Sequence, residues 1–186
     1  MKRVGTSLII GYGNPLLGDD AAGHHVVAAL ARRGLARTTL LTVHQLTPEL
    51  ATMIAEVDRV IFVDARVGRG GVRWEAISGS EGVPPSTRAM QAGRVRSQAG
   101  LTMHLSEPSA LLALAHVLYA HAPRAYLVTL PAHDFSLGAP LSSVTRRAVP
   151  LACRLIRTHL CHASASSRSS SFWPSSSPPV PMKKRR

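Results

Sequence analysis

The sequence predicts an α/β protein, a three-layer αβα sandwich with a mostly parallel central sheet. Three observations carry that expectation. Short, continuous apolar runs alternate along the chain with segments of helical spacing. The runs lack the polar alternation of a sheet with one wet face, so helices must cover both sides. The length, 186 residues, suits one domain.

Ser7-Leu8-Ile9-Ile10 is an apolar run closed by Gly11-Tyr12-Gly13-Asn14-Pro15, a buried strand ending in a glycine-rich turn. From Asp19 the spacing becomes helical: Ala22, Val26, Val27, Ala29 and Leu30 form one apolar face and Gly34 ends it. One of Asp19 and Asp20 is placed to cap that helix, which leaves the other for chemistry. Thr39 to Val43 reads as a second strand, and Thr47-Pro48-Glu49 opens a helix reaching about Val57. Val60-Ile61-Phe62-Val63 is a third buried strand, ended by Asp64. Val72 to Ile77 alternates as a strand near a sheet edge, and Gly79 to Gly100, with Pro84 and Pro85, reads as a long excursion. Ser106-Glu107-Pro108 opens a helix to about Ala120, Ala125 to Leu130 is a further strand, and Ser142 caps a last helix.

Residues 1–162 form the expected α/β domain. Residues 163–186 differ: nine serines, four prolines and five basic side chains, with no acid, predict a disordered tail. The tail takes five of the formal +12 charge and leaves +7 on the rest. With 4% aromatic residues and no binding motif, this charge makes a weak case for a nucleic-acid-binding protein. No run approaches the roughly 18 apolar residues of a membrane span. Cys153 and Cys161 make neither a disulfide framework nor a zinc knuckle, so a reducing, cytoplasmic compartment is expected.

Ligands of an open parallel sheet bind beyond the carboxyl ends of its strands. Asp20 after the first strand, Asp64 at the end of the third and His104 before a later helix all reach that edge. Two carboxylates and an imidazole suit a divalent first-row ion with positions left open for water or substrate. Asp64 directly follows four apolar residues, where a charge is costly without a partner. His44, His133 and Asp134 reach the same edge as second-rank contacts, whereas solvated helix faces account for His24, His25, His116 and His121. Gly11-Tyr12-Gly13-Asn14 completes neither a dinucleotide fingerprint, since Leu16 stands where the third glycine belongs, nor a P-loop. No nucleophile elbow is present, and both cysteines fall away from the loop edge, which leaves hydrolysis by water.

Gly11-Tyr12-Gly13-Asn14-Pro15-Leu16-Leu17-Gly18-Asp19-Asp20-Ala21-Ala22-Gly23, then Val63-Asp64-Ala65, then a histidine before a helix, resembles the hydrogenase maturation endopeptidases over about residues 7–155. His44-Gln45-Leu46-Thr47-Pro48-Glu49-Leu50 is similar to the branch serving soluble NAD-reducing hydrogenases. The resemblance implies a protease that removes a C-terminal extension from the large-subunit precursor of a nickel-iron hydrogenase after nickel insertion. It implies that nickel carried by that precursor, or another divalent metal, meets Asp20, Asp64 and His104. Two departures stand out: many relatives have glutamate at the position of Asp20, and Pro131 to Ala139 lacks the expected glycine-rich character. The alternative from the residues alone is a metal-dependent hydrolase of another peptide or amide.

Overall fold

The computed structural model describes residues 5–79 and 107–165, with side chains as far as Cys161. Its strands are β1 (Ser7–Tyr12), β2 (Thr38–Val43), β3 (Arg59–Val67), β4 (Arg73–Ile77) and β5 (Arg124–Ala132). A 3-10 turn at Gly18–Ala21 leads into α1 (Ala22–Ala31), followed by α2 (Leu50–Ala55), α3 (Pro108–Tyr119) and α4 (Ser143–Ala165). The strands form one sheet in the order β2-β1-β3-β5-β4, parallel except for β4, which runs antiparallel to β5 at the edge. The architecture is the α/β sandwich that the alternating apolar runs predicted.

Successive side chains of a strand point to opposite faces, so each apolar run supplies two cores at once. Ile9, Ile61, Val63, Val128 and Leu130 pack with Val26 and Leu30 of α1 and with Ala152 and Ile156 of α4. Leu8, Ile10, Val60 and Phe62 pack on the other face with Ile54 of α2 and with Leu111 and Leu112 of α3. Phe62 is fully buried, and truncating such a side chain to alanine costs about 3–5 kcal/mol.

Several helix signals act as their chemistry requires. Glu107 is extended, Pro108 follows at the start of α3, and left-handed Ala120 (φ 51°) closes it. The Thr145 N–H donates to Ser142 Oγ at 3.3 Å, so Ser142 caps α4. Elsewhere the boundaries move. Thr47 and Pro48 accept from the N–H groups of Leu50 and Ala51 in a preceding turn, and α2 occupies only Leu50–Ala55. β3 runs past Asp64 to Val67, paired with β5 throughout, so Asp64 is interior to its strand rather than its end. β5 likewise continues through Pro131 to Ala132. Its outer edge pairs with β4 only as far as Thr129, and beyond that point proline's missing donor costs no ladder bond on that side. α4 extends to Ala165, three residues into the stretch assigned to the tail; residues 166–186 lie outside the described residues.

The sheet order decides where a ligand fits. The chain leaves β1 outward to β2, then crosses back to place β3 on the other side of β1. The connections after β1 and β3 therefore diverge and open a crevice between them. Glycine lets α1 sit tightly over it. A Cβ on Gly23 would lie 2.6 Å from the Val63 carbonyl oxygen and 2.8 Å from the Tyr12 nitrogen, and one on Gly11 would strike the Gly23 carbonyl. The start of α1 is thus pressed against β1 and β3 where both strands approach the crevice.

Candidate active site

Asp19 and Asp20 leave the glycine-rich turn after β1 and take different partners. Asp19 is fully buried. Its Oδ2 accepts from the backbone N–H groups of His133 (2.8 Å) and Asp134 (3.1 Å), and its Oδ1 from that of Ser142 (2.7 Å). Its own N–H donates to the Asp134 carbonyl at 2.7 Å. Burial works against the charge, but the bonds from His133, Asp134 and Ser142 outweigh it and bring the carboxyl down to about 2. Asp19 thereby ties the loop after β1 to the loop after β5 and to the start of α4. Neither Asp19 nor Asp20 caps a helix: the 3-10 turn intervenes, and neither it nor α1 has a side-chain cap.

Asp20 is half-buried, and its Oδ2 accepts from the Asn14 N–H at 2.6 Å, folding the turn back on itself. Asp64, also half-buried, accepts from the Ala65 N–H at 2.7 Å through Oδ1 and from the Tyr12 hydroxyl. Burial pushes the Asp64 carboxyl up; the bonds from Tyr12 and Ala65 pull it down, and the charge of Asp20 adds to the rise. The net direction is upward. Burial also raises the Tyr12 hydroxyl, with further contributions from Asp64, Glu107 and Asp20, so Tyr12 stays a neutral donor. Asp20, Asp64 and Glu107 therefore each act on Tyr12, and Asp20 acts on Asp64, at the carboxyl ends of β1 and β3.

His24 anchors the same corner. Its Nε2 lies 2.9 Å from the Gly13 carbonyl oxygen and 3.2 Å from that of Val43. Both are acceptors only, so Nε2 carries the hydrogen and bridges the ends of β1 and β2. Three exposed apolar side chains, Leu16, Val67 and Leu137, stand on this edge as well.

No protein-family model matches the sequence, and no curated protein sequence does. Solved structures do match. A [NiFe] hydrogenase maturation protease HycI from Thermococcus kodakarensis superposes with a TM-score of 0.60 at 19% identity, over 86% of this chain and 95% of that one. The hydrogenase maturating endopeptidase HybD from E. coli gives 0.63 at 19% identity, over 85% and 93%. A hydrogenase 2 maturation peptidase from a Thaumarchaeota archaeon gives 0.61 at 21% identity, over 84% and 98%. The chain has the hydrogenase maturation protease fold.

Within that fold, two of the three acid and imidazole positions picked from the sequence fall on described residues and approach one another: the charge of Asp20 acts on Asp64. The third, His104, lies outside the described residues. Among the described residues, no three His, Cys, Asp or Glu side chains form a group able to hold a metal ion. His44 is exposed just past β2. His133 is exposed and contributes its backbone N–H to Asp19, while Asp134 turns its carboxylate to the Ser136 N–H at 2.9 Å. His24, expected on a solvated face, instead bonds two backbone carbonyls. Cys153 is buried in α4, and burial pushes its thiol up, which suits packing rather than nucleophilic attack. Nothing in the sequence signals the hydrogen bond from Tyr12 to Asp64, beyond the tyrosine's place between two glycines at the end of β1.

Proposed function

We propose that this chain is a metal-recognising endopeptidase that removes the C-terminal extension of a nickel-iron hydrogenase large-subunit precursor once nickel has been inserted. One observation carries the reading: an acid in the turn after β1 and an acid on β3 act on one another at the switch-point crevice of the hydrogenase maturation protease fold. The proposed contacts to the nickel of the precursor are Asp20, Asp64 and His104. His104 precedes Glu107 by three residues, which span at most about 10 Å of chain. Glu107 already acts on Tyr12 across the crevice, which supports an imidazole within reach of both acids.

The electrostatics favour a cation. Asp20 and Asp64 repel, and burial penalises Asp64 further, so a divalent ion between them relieves both costs. Nickel in the precursor, held by two carboxylates and an imidazole, polarises the scissile carbonyl and makes a bound water more acidic. A carboxylate of the pair takes the water proton as the water oxygen adds to the peptide carbon, and then passes that proton to the amide nitrogen as the C–N bond breaks and the terminal peptide leaves as an amine. Tyr12, fixed as a neutral donor to Asp64, holds that carboxylate in orientation. Cleavage then follows nickel insertion, because without the ion the acids have nothing to draw the extension in. The exposed Leu16, Val67 and Leu137 give this rim an apolar surface of the kind a protein substrate covers.

The test mixes the purified protein with nickel-loaded and nickel-free precursor and follows release of the terminal peptide by mass spectrometry. Cleavage of the loaded form alone is expected, with loss in Asp20→Asn, Asp64→Asn and His104→Ala. Equal cleavage of both forms, or of neither, overturns the assignment. Turnover of small peptides or amides without any precursor would instead identify a general metal-dependent hydrolase.

A further inference from the structure

The face of the sheet that carries Asp64 also carries buried donors with no acceptor among the described residues. Arg66 lies two residues beyond Asp64 on β3, and residues two apart share a face of a strand. Thr129 on β5 is paired in register with Asp64 and shares that face too, as Leu127 and Phe62 do one step earlier. Arg66 Nε and Nη2 are both buried without a hydrogen-bond partner among the described residues, and so is Thr129 Oγ1. Thr129 as a whole is 8% exposed. The guanidinium lies along the glycine loop after β3: a Cβ on Gly68 would come within 3.4 Å of Nη1 and one on Gly70 within 3.8 Å of Nη2.

The identity of the unpaired atoms is informative. Nε and Nη2 form one edge of the guanidinium, the edge that presents two parallel N–H groups to the two oxygens of a carboxylate. A buried cationic donor without an acceptor is costly, and the cost disappears when an anionic oxygen ligand arrives. Arg59, at the other end of β3, also has an unpartnered Nε, but its Nη1 donates to the His159 carbonyl and it lies far from the acids.

We propose that the Nε–Nη2 edge of Arg66, with the Thr129 hydroxyl beside it, is a subsite for a carboxylate of the peptide substrate. The proposal deepens the peptidase reading and rests on it for the identity of the ligand as a peptide. Two strand residues separate Arg66 from Asp64 by about 6–7 Å, the length of two residues of extended chain. The carboxylate therefore belongs to a residue about two positions from the bond that meets the acids, and the subsite selects substrates by charge at that distance. The source is either an acidic side chain or a free C-terminus.

The test measures binding of three fluorescently labelled peptides to the full-length protein by anisotropy. One is a triglycine with a free C-terminus, one is Gly-Asp-Gly amide, and one is Gly-Asn-Gly amide. Binding of either carboxylate peptide in clear preference to the asparagine peptide is expected, and which one binds identifies the source. Arg66→Lys keeps the charge but removes the two-pronged edge, and it should weaken that binding about tenfold or more. Thr129→Val removes the hydroxyl alone and should weaken it by a smaller factor, which keeps the test decisive if the Arg66 variant fails to fold. Equal affinity for all three peptides, no binding of any, or wild-type affinity in Arg66→Lys overturns the subsite. Failure of the peptidase reading is separate and visible in the precursor assay. Nickel-dependent cleavage with no carboxylate preference refutes the subsite alone, whereas carboxylate binding with no cleavage leaves the subsite standing and removes the protease.

Discussion

Asp19 keeps its charge in a fully buried place because three backbone N–H groups converge on it. Replacing it with asparagine puts an amide donor against donors, with an expected loss of at least about 2 kcal/mol in urea unfolding at pH 7. The acid dependence follows from the lowered carboxyl. The native state binds its proton less readily than the unfolded chain, so the group's stabilisation is whole above the ordinary value of 3.8. It is lost as pH falls through about 2. The wild type should therefore lose on the order of 2 kcal/mol more than Asp19→Asn over that window. Asp64 has the opposite sign. Its raised carboxyl means that ionisation costs the native state stability, so that cost is absent at low pH and grows as pH rises through the native value. Asp64→Asn should melt above wild type at pH 7 and together with it at about pH 3, while cleavage is lost. Asp20 and Asp64 stand out in the sequence because one follows the glycine-rich turn after the first strand and the other closes a short apolar run. The work of Asp19 does not, since its partners lie 114 to 123 residues away, and neither does that of His24, whose carbonyl partners carry no side-chain signature.

At the level of elements, the crevice depends on how closely α1 approaches the strands. Gly23→Ala forces a Cβ into the Val63 carbonyl and the Tyr12 amide, both backbone groups that cannot swing aside. An overpacking cost of about 1–3 kcal/mol is expected by thermal or urea unfolding. Cleavage should fall further than stability alone explains, because Tyr12 and the start of α1 shift together. The strands and helices were legible where a periodic apolar pattern met a turn or cap signal, as at Ser142 and Pro108. Boundaries were misread where polar or cyclic residues continue a strand, as Asp64 and Arg66 do in β3 and Pro131 does in β5. Pairing with a neighbouring strand, which no local pattern reports, decides those positions.

For the whole molecule, the two ends of the sheet differ in kind. At the amino end of the strands, a depression of about 710 Å³ is lined by Thr6, Arg37, Glu56, Asp58 and His121, among others. It lies across the full length of the sheet from the acid pair. Glu56→Ala, at an exposed position there, should leave precursor cleavage within about twofold of wild type. A large loss in that variant would move the working end of the molecule to the opposite side. The parallel sandwich itself was evident from composition and alternation, but the strand order was not, and that order is what brings the turn after β1 beside β3.

The order also dictates when the sheet can be completed. β4 is made before β5 but, among the described strands, has no neighbour except β5, which inserts between it and β3. As the polypeptide emerges, residues 73–77 must wait for residues 125–129 of β5, and Trp74 for the rings of Tyr126 and His159, although β1, β2 and β3 already have one another. The nascent protein thus passes through a stage with a three-stranded nucleus and an orphan strand, and that stage is where chaperones or misassociation would find it.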